Sequence, residues 1–285
     1  MQELIEQFVK EKRFLKNVTQ KTIRFYYQSL KALTRSIGNL EPSALSKAVL
    51  NEWVVKLRES GLSVISCNSY IRGINSFLTW LYENEYTAEH LKIQVLRTEQ
   101  RIIQTFKDEH IRALVSFKPK GFYEWRIYAL SCLLIDTGVR IEEAMTLKRS
   151  KVDFENLLIT VMGKGNKERP VPMSLELRKV LYRWCGKHTH EFIFSTRQGG
   201  RLSYHNVLRD FKNLCGRLGI EGVRLSPHTL RHTFAKHYVK SGGNLFYLMK
   251  ALGHTTLTMS KRYVDLDADD LKEMHTKVSI MNRLR

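Results

Sequence analysis

Hydrophobic spacing in this chain keeps a helical period along most of its length and switches to alternating runs at one place. Two alternating runs, 152–161 and 168–173, flank the turn Gly163-Lys164-Gly165-Asn166 and predict a β-hairpin. The stretch before them reads as helix. Thr19 precedes Ile23, Tyr26, Tyr27, Leu30 and Leu33 and predicts the N-cap of a helix running to about Ser36, with Gly38 beyond its end. A second pattern passes through Leu45, Val49, Trp53, Val54 and Leu57 and stops at Ser60-Gly61. A third starts near Ser63 and carries Ile65, Tyr70, Ile71, Ile74, Phe77, Leu78 and Leu81. With the opening segment 4–14, this predicts four helices joined by short turns. After Phe106 come another helix, a buried-looking segment at 127–135, and helical patterns at 175–184, 204–218, 227–241 and 245–252 around and after the hairpin.

The expected architecture is therefore two domains: an all-α helical domain over 1–95, and a mixed α/β domain over 106–285 that is mainly helical with a small antiparallel sheet. Periodicity fades from about Glu89, and polar residues around Arg97, Thr98, Glu99, Gln100 and Arg101 mark 96–105 as the linker. Charge separates the same two halves. Residues 1–100 hold 14 basic and 10 acidic side chains and 101–285 hold 33 and 18, so the second part carries +15 of the net +19. Such a surface favours a polyanion, with nucleic acid first. The N-terminus has neither a basic segment nor a long apolar run, and the longest apolar stretch, near 129–135, is far too short to span a bilayer. Cys67, Cys132, Cys185 and Cys215 form no C-x-x-C pair and are expected as reduced, structural thiols in the cytoplasm.

Several polar residues fall where a phosphodiester chemist would want them. Arg140 follows Asp136-Thr137-Gly138-Val139, a junction from which a planar guanidinium can point a fork of donors at two phosphate oxygens. Lys164 sits at or near the hairpin tip. A P-loop is excluded there because Gly165 follows the lysine instead of Ser or Thr. Ser226-Pro227 predicts a helix start, placing His228 and Arg231 on one face near an N-terminus that favours anions. His254 follows Gly253, and Tyr263 stands nine residues later beside Lys261 and Arg262. Taken singly, each reads as an ordinary surface or structural residue; as a set they can hold a phosphodiester, neutralise it, move protons and attack it. A metal reading is weak. His228 and His232 lack the glutamate of H-E-x-x-H and enclose Arg231, and the group Cys185, His188 and His190 shows no fourth ligand.

In order and spacing, Arg140, Lys164, His228, Arg231, His254 and Tyr263 resemble the catalytic set of the tyrosine recombinases, the family that includes the Xer, Cre and phage integrase groups. The resemblance runs from about Thr105 to the C-terminus. It implies that Arg140 and Arg231 bind the scissile phosphate, His254 stabilises its charge, His228 assists proton transfer, Lys164 protonates the leaving 5′ oxygen and Tyr263 is the nucleophile. Lys167 is a less favoured stand-in for Lys164. Glu143 would support the site from behind. The helical domain would be the core-binding, DNA-binding domain; Lys21, Arg24, Arg72, Lys167 and Arg169 are assigned to DNA. The implied partner is double-stranded DNA with paired inverted-repeat core sites, held by a homotetramer or one shared with a related recombinase, without metal, cofactor or membrane. Two departures are local: Met259 replaces a common hydroxyl residue, and Lys107 a common capping serine. A chain that starts at once with core-binding helices suits a simple Xer-like or mobile-element recombinase, and a tail after Tyr263 would dock on a neighbouring protomer. A type IB topoisomerase and a non-catalytic DNA-binding protein are the alternatives; the Leu252-Gly253-His254 motif and the complete six-residue set count against them.

Overall fold

The structure is a computed structural model that describes residues 1–38, 41–99, 104–163, 167–253, 256, 272, 275–276 and 279–283. It divides into two compact units, Met1–Arg101 and Ile102–Arg285.

The first unit contains α1 (Gln2–Phe14), α2 (Gln20–Ile37), α3 (Lys47–Glu59) and α4 (Val64–Glu83). Hydroxyl caps start the last three: Thr19, Ser46 and Ser63 each accept the N–H three residues on. The apolar stripes meet around Phe8, Leu30, Trp53, Ile71, Ile74 and Phe77, all buried. Trp53 Nε1 donates to the Ala32 carbonyl, and Gly73 lets α4 approach α2 so closely that a Cβ there would lie 2.3 Å from Ser29 Oγ. The polar stretch after α4 does not leave the unit at once. Asn75 and Asn68 on α4 pair with the backbone of Ile93 and Leu96, at 2.7–2.9 Å, and Ile93 is buried.

The second unit is built around α6 (Phe122–Thr137), whose middle is buried on all sides. Around it lie α5 (Asp108–Ser116), α8 (Leu175–Cys185), α9 (Tyr204–Arg217) and α10 (Pro227–Lys240), with the short α7 (Ile141–Met145) directly after it. Arg126, buried within α6, donates to the Ser195 carbonyl and to Asp210 Oδ2 at 3.0 and 2.7 Å, so its charge is paired. The last full helix described, α11 (Leu245–Leu252), packs on α10 through Ala235, Val239, Leu248 and Leu252.

The sheet is antiparallel, in the order β1 (Val152–Asp153), β2 (Leu158–Met162), β3 (Glu168–Pro172). The run 152–161 is thus two strands, where the alternation predicted one. Asp153 breaks it: its carboxylate accepts the N–H groups of Glu155 and Asn156 and the Asn156 amide, forming a tight turn that ends with Leu157 at φ 56°. Opposite Val161 in the register stands Arg169, on the face that also carries buried Val171. The four cysteines are free and buried, and burial pushes the Cys132 and Cys215 thiols up to about 12. No described helix is long and apolar enough to cross a membrane.

Candidate active site

Helix α6 ends at Gly138, in the left-handed region at φ 61°, and the next turn places Arg140 as the residue before α7. Gly138 is also sterically required, because an added Cβ would sit 2.2 Å from Phe234 and 2.9 Å from Leu252. Glu143, at the third position of α7, reaches back to accept the Arg140 N–H at 2.8 Å. Its two oxygens also receive Arg140 Nη1 at 3.0 Å, Arg169 Nη1 at 2.8 Å and Arg169 Nη2 at 2.9 Å. Burial pushes this carboxyl up, but the hydrogen bonds and charges of Arg169 and Arg140 outweigh burial and hold it below the usual carboxylate range. Glu143 is therefore a buried anion carrying four hydrogen bonds.

Three arginines meet at the C-terminal end of α11, where unpaired carbonyls concentrate negative potential. Arg169 Nε donates to the Ala251 carbonyl at 3.1 Å, Arg231 Nη2 to Leu252 at 2.8 Å and Arg140 Nη2 to Gly253 at 2.9 Å. Arg231, one turn into α10 and buried, also donates through Nη1 to the Gly138 carbonyl at 2.6 Å. One guanidinium thus bridges the end of α6 to the end of α11. Gly253 has φ 63°, and a Cβ there would lie 3.1 Å from the Arg169 Cζ and 3.2 Å from Arg140 Nη1. Among the described residues, this corner brings three guanidiniums to one carboxylate, a donor set suited to an anion. Arg140, with a third of its side chain exposed, is the most accessible of the three.

His228 stands exposed in the first turn of α10, its ring 6.1 Å from that of Tyr204 at the start of α9. Ser226 caps that helix through the Thr229 N–H, with Pro227 following, as expected. Of the residues singled out in the sequence, the structure gathers Arg140, Glu143 and Arg231 at one corner; Lys164, His254 and Tyr263 lie outside the described residues. Lys167 is exposed at the hairpin neck, which the Gly163 N–H closes on the Lys167 carbonyl at 2.8 Å. Lys21 and Arg24 on α2 and Arg72 on α4 are exposed in the first unit.

Arg169, expected at DNA from sequence, has its guanidinium on Glu143 and Ala251, inside the corner. Alternation carried the signal: an arginine on the same strand face as Val171 must bring a partner inward. His188 and His190 stack at 5.0 Å, and burial first, with the charge of Arg149 next, drives the His188 imidazole down to about 4.

Comparison with known proteins identifies the family and the fold. The sequence model of the phage integrase family matches residues 104–270. The tyrosine recombinase XerC of Xylella fastidiosa (strain M23) is 28% identical over 96% of this chain and 96% of its own length. The tyrosine recombinase XerD of Vibrio cholerae is 26% identical over 97% and 96%. Among solved structures, the Tn1549 transposon integrase in complex with transposon right end DNA superposes with a TM-score of 0.79 over 97% of this chain and 99% of that one, at 19% identity. The XerH site-specific recombinase bound to its palindromic difH substrate gives 0.72 over 95% and 83%, also at 19%. Both structures share the fold.

Proposed function

The chain belongs to the phage integrase family, and from that premise we propose how its residues carry out recombination. It is a tyrosine-type site-specific DNA recombinase, Xer-like, that cleaves and rejoins DNA through a tyrosine. The scissile phosphate occupies the corner where Arg140 and Arg231 meet the end of α11. Tyr263 Oη attacks phosphorus and becomes joined to the 3′ side. The 5′ oxygen leaves and takes a proton from Lys164, giving a free 5′-hydroxyl. Arg140, Arg231 and His254 stabilise the charge that grows on the phosphoryl oxygens, and His228 assists proton transfer. The phosphotyrosyl bond conserves the energy of the phosphodiester, so the 5′-hydroxyl of a partner duplex can reverse the step and exchange strands through a Holliday junction.

The observation that carries this assignment is the convergence of Arg140 and Arg231, 91 residues apart in sequence, on the adjacent carbonyls of Leu252 and Gly253, immediately before His254. Around this centre the proposal includes duplex DNA with paired inverted-repeat sites, a tetramer on that DNA, a cytoplasmic setting, and contacts from Lys21, Arg24, Arg72 and Lys167. The role of Lys164 supplies the test. Lys164→Ala slows cleavage of ordinary DNA far more than cleavage of a substrate carrying sulfur at the 5′-bridging position, because a thiolate leaves unprotonated. Single-turnover cleavage of both substrates measures the two defects, and equal defects would remove Lys164 as the general acid.

A further inference from the structure

We infer that Arg169 is a positioning residue that keeps the charge of Arg140 available to phosphate by taking the charge of Glu143. The inference rests on the assignment of Arg140 to the scissile phosphate. Glu143 is only 5% exposed, so its carboxylate finds its counter-charge among protein groups. Two arginines compete for it. Arg169 takes it as a fork, Nη1 to Oε1 at 2.8 Å and Nη2 to Oε2 at 2.9 Å, the stronger bidentate arrangement. The Arg140 side chain reaches it through one nitrogen at 3.0 Å, while its other terminal nitrogen lies on Gly253. Exposure follows the same order: the Arg169 side chain is 14% exposed and that of Arg140 32%. The carboxylate therefore neutralises mainly the inner arginine and leaves the outer one cationic and accessible.

Two further contacts place Arg169 where it can set the geometry of the whole corner. Its Nε holds the Ala251 carbonyl, in the last turn before Gly253 and His254. At the hairpin neck, a Cβ on Gly163 would lie 3.5 Å from Arg169 Nη1, so the strand leading to Lys164 passes directly beside the guanidinium. Without that fork, the Glu143 carboxylate closes on Arg140 as a bidentate pair, draws the guanidinium inward and cancels its charge.

The test is the rate of covalent trapping on a nicked suicide substrate at saturating protein, with half-site affinity and melting temperature measured alongside. Arg169→Gln lowers the rate on the order of 10²-fold, as misplacement of a phosphate-binding group does, while half-site affinity, shared among many phosphate contacts, falls far less. Adding Glu143→Gln to that variant restores part of the rate, because a neutral amide no longer captures Arg140. Arg169→Lys, which keeps the charge but not the fork, falls between Arg169→Gln and wild type. Should Arg169→Gln fail to fold, Arg169→Lys with and without Glu143→Gln gives the same ordering. A wild-type rate in Arg169→Gln overturns the inference, as does a double variant no faster than the single one, since removing two merely structural groups gives no rescue. No adduct from wild type would instead remove the phosphate assignment of Arg140, and this inference with it.

Discussion

Glu143 is the residue on which the corner's electrostatics turn. Its carboxyl is held below the ordinary value of 4.5, so the unfolded chain binds that proton first as the medium is acidified. The stability it contributes is complete above about pH 4.5 and is lost as pH falls through the lower folded value. His188 acts in a different window. Its folded value of about 4 lies below the ordinary 6.5, so its contribution is lost between those two values. Comparing wild type with Glu143→Gln cancels the His188 effect, which both proteins share. At pH 7 the substitution strands the charge of Arg169 and costs about 3 kcal/mol. Melting temperatures of the two proteins converge below about pH 4.5; curves that stay parallel to pH 3 would show that the carboxylate is not the stabilising form.

Among the elements, α11 matters most, because the carbonyls of its last two residues and of its Gly253 cap organise the arginines. Gly253→Ala and Gly219→Ala separate backbone strain from that role. Both glycines have φ 63°, but a Cβ at Gly219 meets nothing within 4 Å, whereas at Gly253 it presses on Arg169 and Arg140. Each substitution costs about 1–2 kcal/mol from the left-handed backbone. Cleavage falls sharply only for Gly253→Ala, as single-turnover rates and denaturant unfolding on both variants will show; equal cleavage in the two would detach the α11 terminus from the site. Helix starts were legible in sequence, since Thr19, Ser63 and Ser226 state their caps locally. The break at Asp153 was not, because Val152 and Leu158–Met162 together sustain an alternating pattern, and only the hydrogen bonds of the Asp153 turn interrupt it. The three-arginine cap was illegible for another reason: its acceptors are backbone carbonyls, which carry no residue identity. Arg140 and Arg231 could be named, but not the carbonyls of Gly138, Leu252 and Gly253 that aim them.

At the scale of the whole molecule, the 33 basic residues in 101–285 outnumber the 18 acidic ones, and the arginine corner lies within that basic half. A phosphate-rich partner is drawn to this half before any specific contact forms. The tail expected to dock on a neighbouring protomer lies largely outside the described residues; of its apolar set, Ile280 and Met281 are exposed. The chemistry proposed for this half is independent of assembly: Tyr263 attacks a phosphodiester held by Arg140 and Arg231. A nicked suicide substrate incubated with the protein in EDTA, followed by mass spectrometry of the trypsin-digested adduct, tests this directly. Wild type gives a covalent adduct whose DNA 3′ end maps to Tyr263, and Tyr263→Phe binds the same DNA without forming any. Adduct formation by Tyr263→Phe, or a link mapped to another residue, would contradict it.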